Sequence, residues 1–241
     1  LGRYEFTKNS DGTIKTSELS NRNYTEDTTA SHNSSSFGNA IANDIEEFIT
    51  SVKEINHGYY IGRYEAGITG YDGFDEDNRN WTGTNIQVVC KAGQEVWNYI
   101  TQPKASEVSR NMYGSEAKVT SDLINSYAWD TAIVFIQKCG TESNSSTYSY
   151  TVGQSLTSTS APQTTGTNIL KATSKVDKQC NIFDMAGNCF EWTTETYSSS
   201  NNPCGSRGGL YLSRGFYTSS RGSDSTSYAY SYGSFRPLLY L

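Results

Sequence analysis

With 241 residues and a formal net charge of −6, the chain has room for one large domain or two small ones. Only 35% of its residues are apolar, yet it carries 18 Tyr against 9 Phe and 4 Trp, so much of its hydrophobic area also bears a polar handle. The 19 Lys and Arg against 25 Asp and Glu form no basic block able to neutralise a run of phosphates, which argues against a nucleic-acid partner. The longest apolar run, Ala132 to Ile136, falls far short of the roughly 18 residues a membrane span requires, and no direct membrane insertion is expected of this stretch. The chain opens on Leu1 without a cationic and apolar leader, which reads as a fragment or processed product whose address signal is not included. Cys90, Cys139, Cys180, Cys189 and Cys204 are too sparse for a disulfide-built scaffold and lack zinc or redox spacing.

In chain order, residues 1–40 are rich in Asn, Ser and Thr and read as an irregular lead-in, with a turn at Ser10-Asp11-Gly12. Ile41, Ile45, Phe48, Ile49, Val52 and Ile55 recur near helical spacing and predict a one-faced helix over Ile41 to Glu54. Gly58 to Gly67 has the aromatic enrichment of a strand, expected centrally. Gly70 to Asn85 is expected as a loop, and Pro103 to Met112 as a short helix with Pro in its first turn. A longer helix, capped by Thr120 or Ser121 and ending near Gly140, carries Leu123, Ile124, Tyr127, Ala128, Ile133, Val134 and Ile136 toward one side. Glu142 to Thr167 is expected as a surface loop with one short hairpin at most. After Asn181 the pattern becomes short aromatic-bearing strands and loops punctuated by Gly.

The densest signal is Asn181-Ile182-Phe183-Asp184-Met185-Ala186-Gly187-Asn188-Cys189-Phe190-Glu191-Trp192, followed by Arg207-Gly208-Gly209 and Ser234-Phe235-Arg236-Pro237-Leu238. Ile182, Phe183, Met185, Phe190 and Trp192 suit a core, while Asp184 and Asn188 suit the bonding of turn amides that a loop otherwise leaves unpaired. Arg207 and Arg236 offer forked donors to buried carbonyls or carboxylates such as Glu191. With Gly58 to Glu65 and Ala128-Trp129-Asp130, these motifs resemble the formylglycine-generating-enzyme, or sulfatase-modifying-factor, type of C-type-lectin fold from about Gly58 to Leu241. That resemblance implies an α+β fold with small, mostly antiparallel sheets, two main helices and long irregular loops. It makes 41–241 the domain and Asp184, Asn188, Glu191, Trp192, Arg207, Gly208, Gly209, Arg221, Phe235 and Arg236 its structural anchors.

The stretch 207–237 also resembles the variable end of proteins diversified by retroelements, which share this lectin-like fold. The matching positions are Arg207-Gly208-Gly209, Ser220-Arg221 and Ser234-Phe235-Arg236-Pro237. The resemblance implies variable, ligand-contacting positions at Leu210, Leu212, Ser213, Arg214, Phe216, Tyr217, Gly222, Ser223, Asp224, Tyr228, Tyr230 and Tyr232. Composition points the same way, because Tyr offers broad, rigid contact area while Ser and Gly let a surface adapt. Alternation in Ser227-Tyr228-Ala229-Tyr230-Ser231-Tyr232 puts the three tyrosines on one side of an extended segment, and the competing reading is an aromatic face buried in the fold.

The expected function is therefore noncatalytic recognition of a protein ligand on a cell or phage-host surface, by a monomer displayed on a cell or virion. One alternative is a divergent oxidoreductase of the formylglycine-generating type. Members of that family which oxidise cysteine carry a cysteine pair shortly after the Arg-Gly-Gly motif, whereas here Ser213 stands where the first is expected, and a hydroxyl cannot supply the soft thiolate that selects Cu(I). The other alternative is a fixed structural surface or phage-tail module. No catalytic residue is assigned: His32 and His57 lack the spacing of a zinc site or nucleophile elbow, and Cys204 lacks an electropositive thiolate setting. No cofactor is required. Asp72, Asp75, Glu76, Asp77 and Asn78 have the composition of a calcium loop but not the order or closing glutamate of an EF-hand, so a hydrated acidic loop is the stronger reading.

Overall fold

A computed structural model describes residues 30–31, 45–52, 58–69, 79–80, 87–113, 118–151, 161–170, 175–197, 201–212 and 216–240. The first half of the strands are β1 (Ala30–Ser31), β2 (Tyr60–Ile61), β3 (Gly67–Thr69), β4 (Gln87–Val89), β5 (Thr120–Leu123), β6 (Ile169–Leu170) and β7 (Lys175–Val176). The second half are β8 (Lys178–Gln179), β9 (Ile182–Phe183), β10 (Phe190–Tyr197), β11 (Cys204–Arg207), β12 (Arg221–Asp224), β13 (Gly233–Phe235) and β14 (Pro237–Tyr240). With α1 (Ile45–Thr50), α2 (Gln102–Arg110) and α3 (Ser126–Cys139) they make a mixed α+β architecture of small sheets and a few helices.

The largest sheet runs β1-β10-β11-β12, with β13 added parallel to β10 and the other pairings antiparallel. Its spine, β10, is buried from Phe190 through Thr196, as expected of a strand covered on both faces. Alternation puts Phe190 and Trp192 on one side and Glu191 on the other, so one face is aromatic and the other must find a counter-charge. A second sheet, β2-β14-β5, closes the chain by pairing Leu238 with both Ile61 and Asp122. One core lies around α3, with Trp129, Ile133, Ile136 and Met185. The other lies beneath β10, with Trp97, Ile100, Trp192 and Phe235.

Several expectations shift. Ala30 and Ser31 of the lead-in pair with Tyr197 and Thr196 as an edge strand. Of the helix expected over Ile41 to Glu54, the described residues show α1 followed by π-helical residues 51–52, and Phe48 packs against Tyr59 with ring centroids 5.4 Å apart. Gly58 to Gly67 is not one central strand. It divides into β2, at the edge of its sheet, and β3, with bends at Arg63 and Tyr64 just after Gly62, where an added Cβ would meet Cys90 Sγ at 3.1 Å and Arg236 Cγ at 3.2 Å. The expected caps Thr120 and Ser121 are instead strand residues opposite Tyr240 and Leu239. The helix begins after Asn125, whose side-chain oxygen accepts from Ala128 N–H at 2.8 Å, an N-cap that tertiary pairing of the preceding segment makes available. The short Pro103 helix is present as α2.

The expected surface loop after Glu142 contains a 3-10 helix, Ser145–Tyr150, packed on α3. Tyr148 within it is fully buried and donates to Asp177 Oδ1 at 2.6 Å. His32, His57, the acidic stretch Asp72 to Asn78, Ser213 and Arg214 lie outside the described residues. Among the described residues no helix is long and apolar enough to cross a membrane.

Candidate functional site

Two buried arginines and a third that is partly buried build the base of the site. Arg236, between β13 and β14, lays its guanidinium on Glu191 through Nε at 3.0 Å and Nη2 at 2.5 Å, and also donates to Gly62 O at 2.7 Å and Phe183 O at 2.8 Å. Arg207, on β11, pairs with Asp130 of α3. Arg221, opposite it on β12, pairs with Glu195 of β10 at 3.0 Å. Such forked donors satisfy several acceptors at fixed geometry, and here they tie the sheet, α3 and the β2 end together.

Asp184 and Asn188 do what their residue types suggest. Asp184 Oδ2 accepts from Gly166 N–H at 2.6 Å, and Asn188 Oδ1 accepts from Gln163 N–H at 2.8 Å. Both sit at positive φ, 65° and 67°, a conformation that Asp and Asn tolerate better than most L residues. Glu65 completes the cluster by accepting from Asn188 Nδ2 and from Cys189 N–H at 3.0 Å. Trp192 is fully buried and its Nε1 donates to Ile100 O at 2.9 Å, while Phe235 is buried edge-on to Trp97 at 5.6 Å. Gly208, at φ 86°, turns the chain out of β11 where an added Cβ would lie 2.8 Å from Met185 O and 3.1 Å from Trp129. Gly208→Ala is expected to cost about 1–3 kcal/mol, the size of a strained backbone position, measurable by urea denaturation. Gly209 is buried directly after it.

On this base lies a concavity of about 460 Å³. Phe190 and Ser206 form its floor, Leu210, Leu212 and Phe216 one wall, Gly222, Ser223 and Asp224 of β12 a second, and Tyr230 and Tyr232 a third. The tyrosines are arranged without a strand. Tyr230 and Tyr232 stack at 4.7 Å with planes 12° apart, Tyr228 leans on Tyr230 at 5.1 Å, and both inner rings meet Phe190 edge-on. Their backbone is clamped from outside: Tyr99 N–H donates to Tyr230 O at 2.9 Å, Asn98 Nδ2 to Ser231 O at 2.6 Å and Phe190 N–H to Tyr232 O at 2.9 Å. Leu212, Phe216 and Tyr228 are exposed around the opening, an apolar rim of the kind that marks interaction surfaces.

Among the positions expected to be variable, then, Leu210, Leu212, Phe216, Gly222, Ser223, Asp224, Tyr230 and Tyr232 line a single concavity. Tyr228 joins them by stacking. Tyr217 points instead toward the 3-10 helix, edge-on to the exposed Tyr150 at 6.4 Å. Phe190, Ser206 and Ser220 also line the concavity, and neither they nor Tyr150 were separable in sequence from ordinary core and loop residues.

The electrostatics are those of a desolvated frame. Burial pushes the Asp184 carboxyl up to about 8, helped by Asp177, and Asp177 itself up to about 6. Burial likewise pushes the thiols of Cys90 up to about 11 and Cys204 up to about 12, and raises Cys180 and Cys189. These four thiols are therefore poor nucleophiles at neutral pH. All five cysteines are unbridged. Cys204 is a core residue whose Sγ–H reaches Gln102 Oε1 at 3.8 Å. Among the described residues no group of three His, Cys, Asp or Glu is placed to hold a metal ion.

No protein-family model matches the chain, and no curated protein sequence does. Among solved structures, "Crystal Structure of CarF" is similar at 21% identity with a TM-score of 0.36, over 51% of this chain and 48% of that one. The chain thus spans about half the length of the structure it matches.

Proposed function

We propose that the chain is a noncatalytic binding protein whose Tyr-rich C-terminal concavity recognises a protein ligand on a cell or virion surface. The scaffold would be a C-type-lectin-like domain of the formylglycine-generating-enzyme type, and the tract 207–237 a product of retroelement diversification. The observation that carries this reading is convergence: eight of the positions implied by the resemblance to diversified tracts, between Leu210 and Tyr232, meet around one opening with a rim of exposed Leu212, Phe216 and Tyr228. Rigid tyrosines on a fixed base are the usual material of binding hot spots. The raised thiols and absent cysteine pair give the oxidoreductase alternative no comparable support.

Two experiments test it. Pull-down of host-surface extracts should enrich one protein, and combined Tyr228→Ala, Tyr230→Ala and Tyr232→Ala should weaken its capture at least about a hundredfold, since central aromatic anchors are each worth about 2 kcal/mol or more. Capture unaffected by the triple change in a variant that still unfolds cooperatively would remove the site. Sequencing the locus across clones should reveal substitutions confined to template adenines beside a near-identical repeat. A fixed tract with no reverse transcriptase would favour the structural module instead.

A further inference from the structure

Among the described residues that line the concavity, Asp224 is the single formal charge and no cation balances it. Asp224 projects from β12 into a wall otherwise built of Leu210, Leu212, Phe216 and tyrosine rings, and no Lys, Arg or His is among the described residues that line it. Its carboxylate accepts a hydrogen bond from Tyr230 O–H at 3.2 Å. Partial burial raises its pKa, the mark of an anion that has lost water without gaining a cation. Gly222 leaves the neighbouring wall open, because a Cβ there would lie 2.9 Å from Ser206 Oγ, and the hydroxyls of Ser206, Ser220 and Ser223 add acceptors around the same space.

We propose that this concavity takes a cationic side chain, arginine or lysine, of the protein ligand, with Asp224 as its counter-charge and the Tyr230 and Tyr232 rings as its aromatic wall. The inference rests on the binding reading above and specifies the partner's chemistry. An apolar or acidic group entering the space would strip the remaining water from Asp224 and return nothing, and a neutral donor would return a hydrogen bond without the charge. A long aliphatic stem ending in a cation satisfies both kinds of wall, lying along Leu210 and Phe216 while its head meets the carboxylate and an electron-rich ring face. The volume of about 460 Å³ falls within the range of specific small-ligand pockets, roughly 300–1,000 Å³. The net charge of −6 would add long-range attraction for a basic partner.

The test titrates the full chain at pH 7 with the N-acetyl methylamides of arginine, lysine and norleucine, followed by NMR shift changes. The cationic amides are expected to bind at least about tenfold more tightly than norleucine, about 1.4 kcal/mol. Asp224→Asn, which still offers Tyr230 an acceptor, should abolish that preference. Equal affinity for norleucine, a preference that survives Asp224→Asn, or no saturable binding of the cationic amides at concentrations on the order of 10 mM would each overturn the assignment. Extract capture separates the two readings. Capture lost with the tyrosines but indifferent to Asp224→Asn overturns the cation and keeps the surface, whereas capture indifferent to the tyrosines overturns both.

Discussion

Arg236→Met is expected to destabilise the chain by about 3–5 kcal/mol, the cost of breaking a buried pair by removing one partner. The guanidinium is fully buried and its donors reach Glu191, Gly62 O and Phe183 O, so a single deletion orphans a carboxylate and two carbonyls in different strands. Glu65, Asp177 and Asp184 also lean on this cation electrostatically. Met fills comparable volume, which keeps cavity formation out of the measured value. Arg236→Lys retains the charge but not the fork and should lie between. The double change with Glu191→Met should recover part of the loss, since replacing both partners with apolar groups is often close to neutral. Urea denaturation of the parent, Arg236→Met, Glu191→Met and the double variant gives the coupling directly. A cost below about 1 kcal/mol for Arg236→Met, the size of an exposed pair, would show that this network does not hold the sheets together.

The same residues explain what the sequence reveals and what it hides. Asp184, Asn188, Arg207 and Arg236 were legible because each residue type solves a specific buried problem: an unpaired amide, a left-handed turn or a carboxylate in the core. The partners were less so. Asp130 and Glu195 stand in a helix and a strand far from Arg207 and Arg221 in sequence; the Ala128-Trp129-Asp130 motif marks the first without naming its partner, and no local pattern distinguishes Glu195 from a solvated acid. The N-cap of α3 was missed for a related reason: Thr120 and Ser121 are good caps in isolation, but β14 recruits them first. The tyrosine triplet shows the opposite error in reasoning. Its rings share a side as alternation predicts, yet Tyr228 to Tyr232 belong to no strand, and the arrangement comes from Asn98 and Tyr99 gripping the backbone.

The stability of the folded chain is expected to fall as pH rises between about 5 and 7, by about 1.4 kcal/mol per pH unit for each carboxyl that titrates across that window. Asp184 is the clearest contributor. Its Oδ2 accepts from Gly166 N–H, its Oδ1 is buried without a hydrogen-bond partner among the described residues, and burial beside Asp177 pushes its carboxyl up to about 8. In the unfolded chain the same group titrates near 3.9. Between those values the folded chain holds a proton that the unfolded chain has released, so the contribution is fully present below about pH 4 and is lost as pH climbs through about 8. Asp184→Asn carries a permanent neutral isostere, accepts the same Gly166 bond and tolerates the left-handed φ. It should therefore flatten the dependence by about one proton's worth while remaining close to the parent near pH 4. Urea midpoints at pH 5, 6 and 7, converted with each protein's own m-value, measure both slopes. Parallel slopes for Asp184→Asn and the parent would mean that Asp184 is ionised in the folded state, and that Arg236 neutralises two carboxylates rather than one.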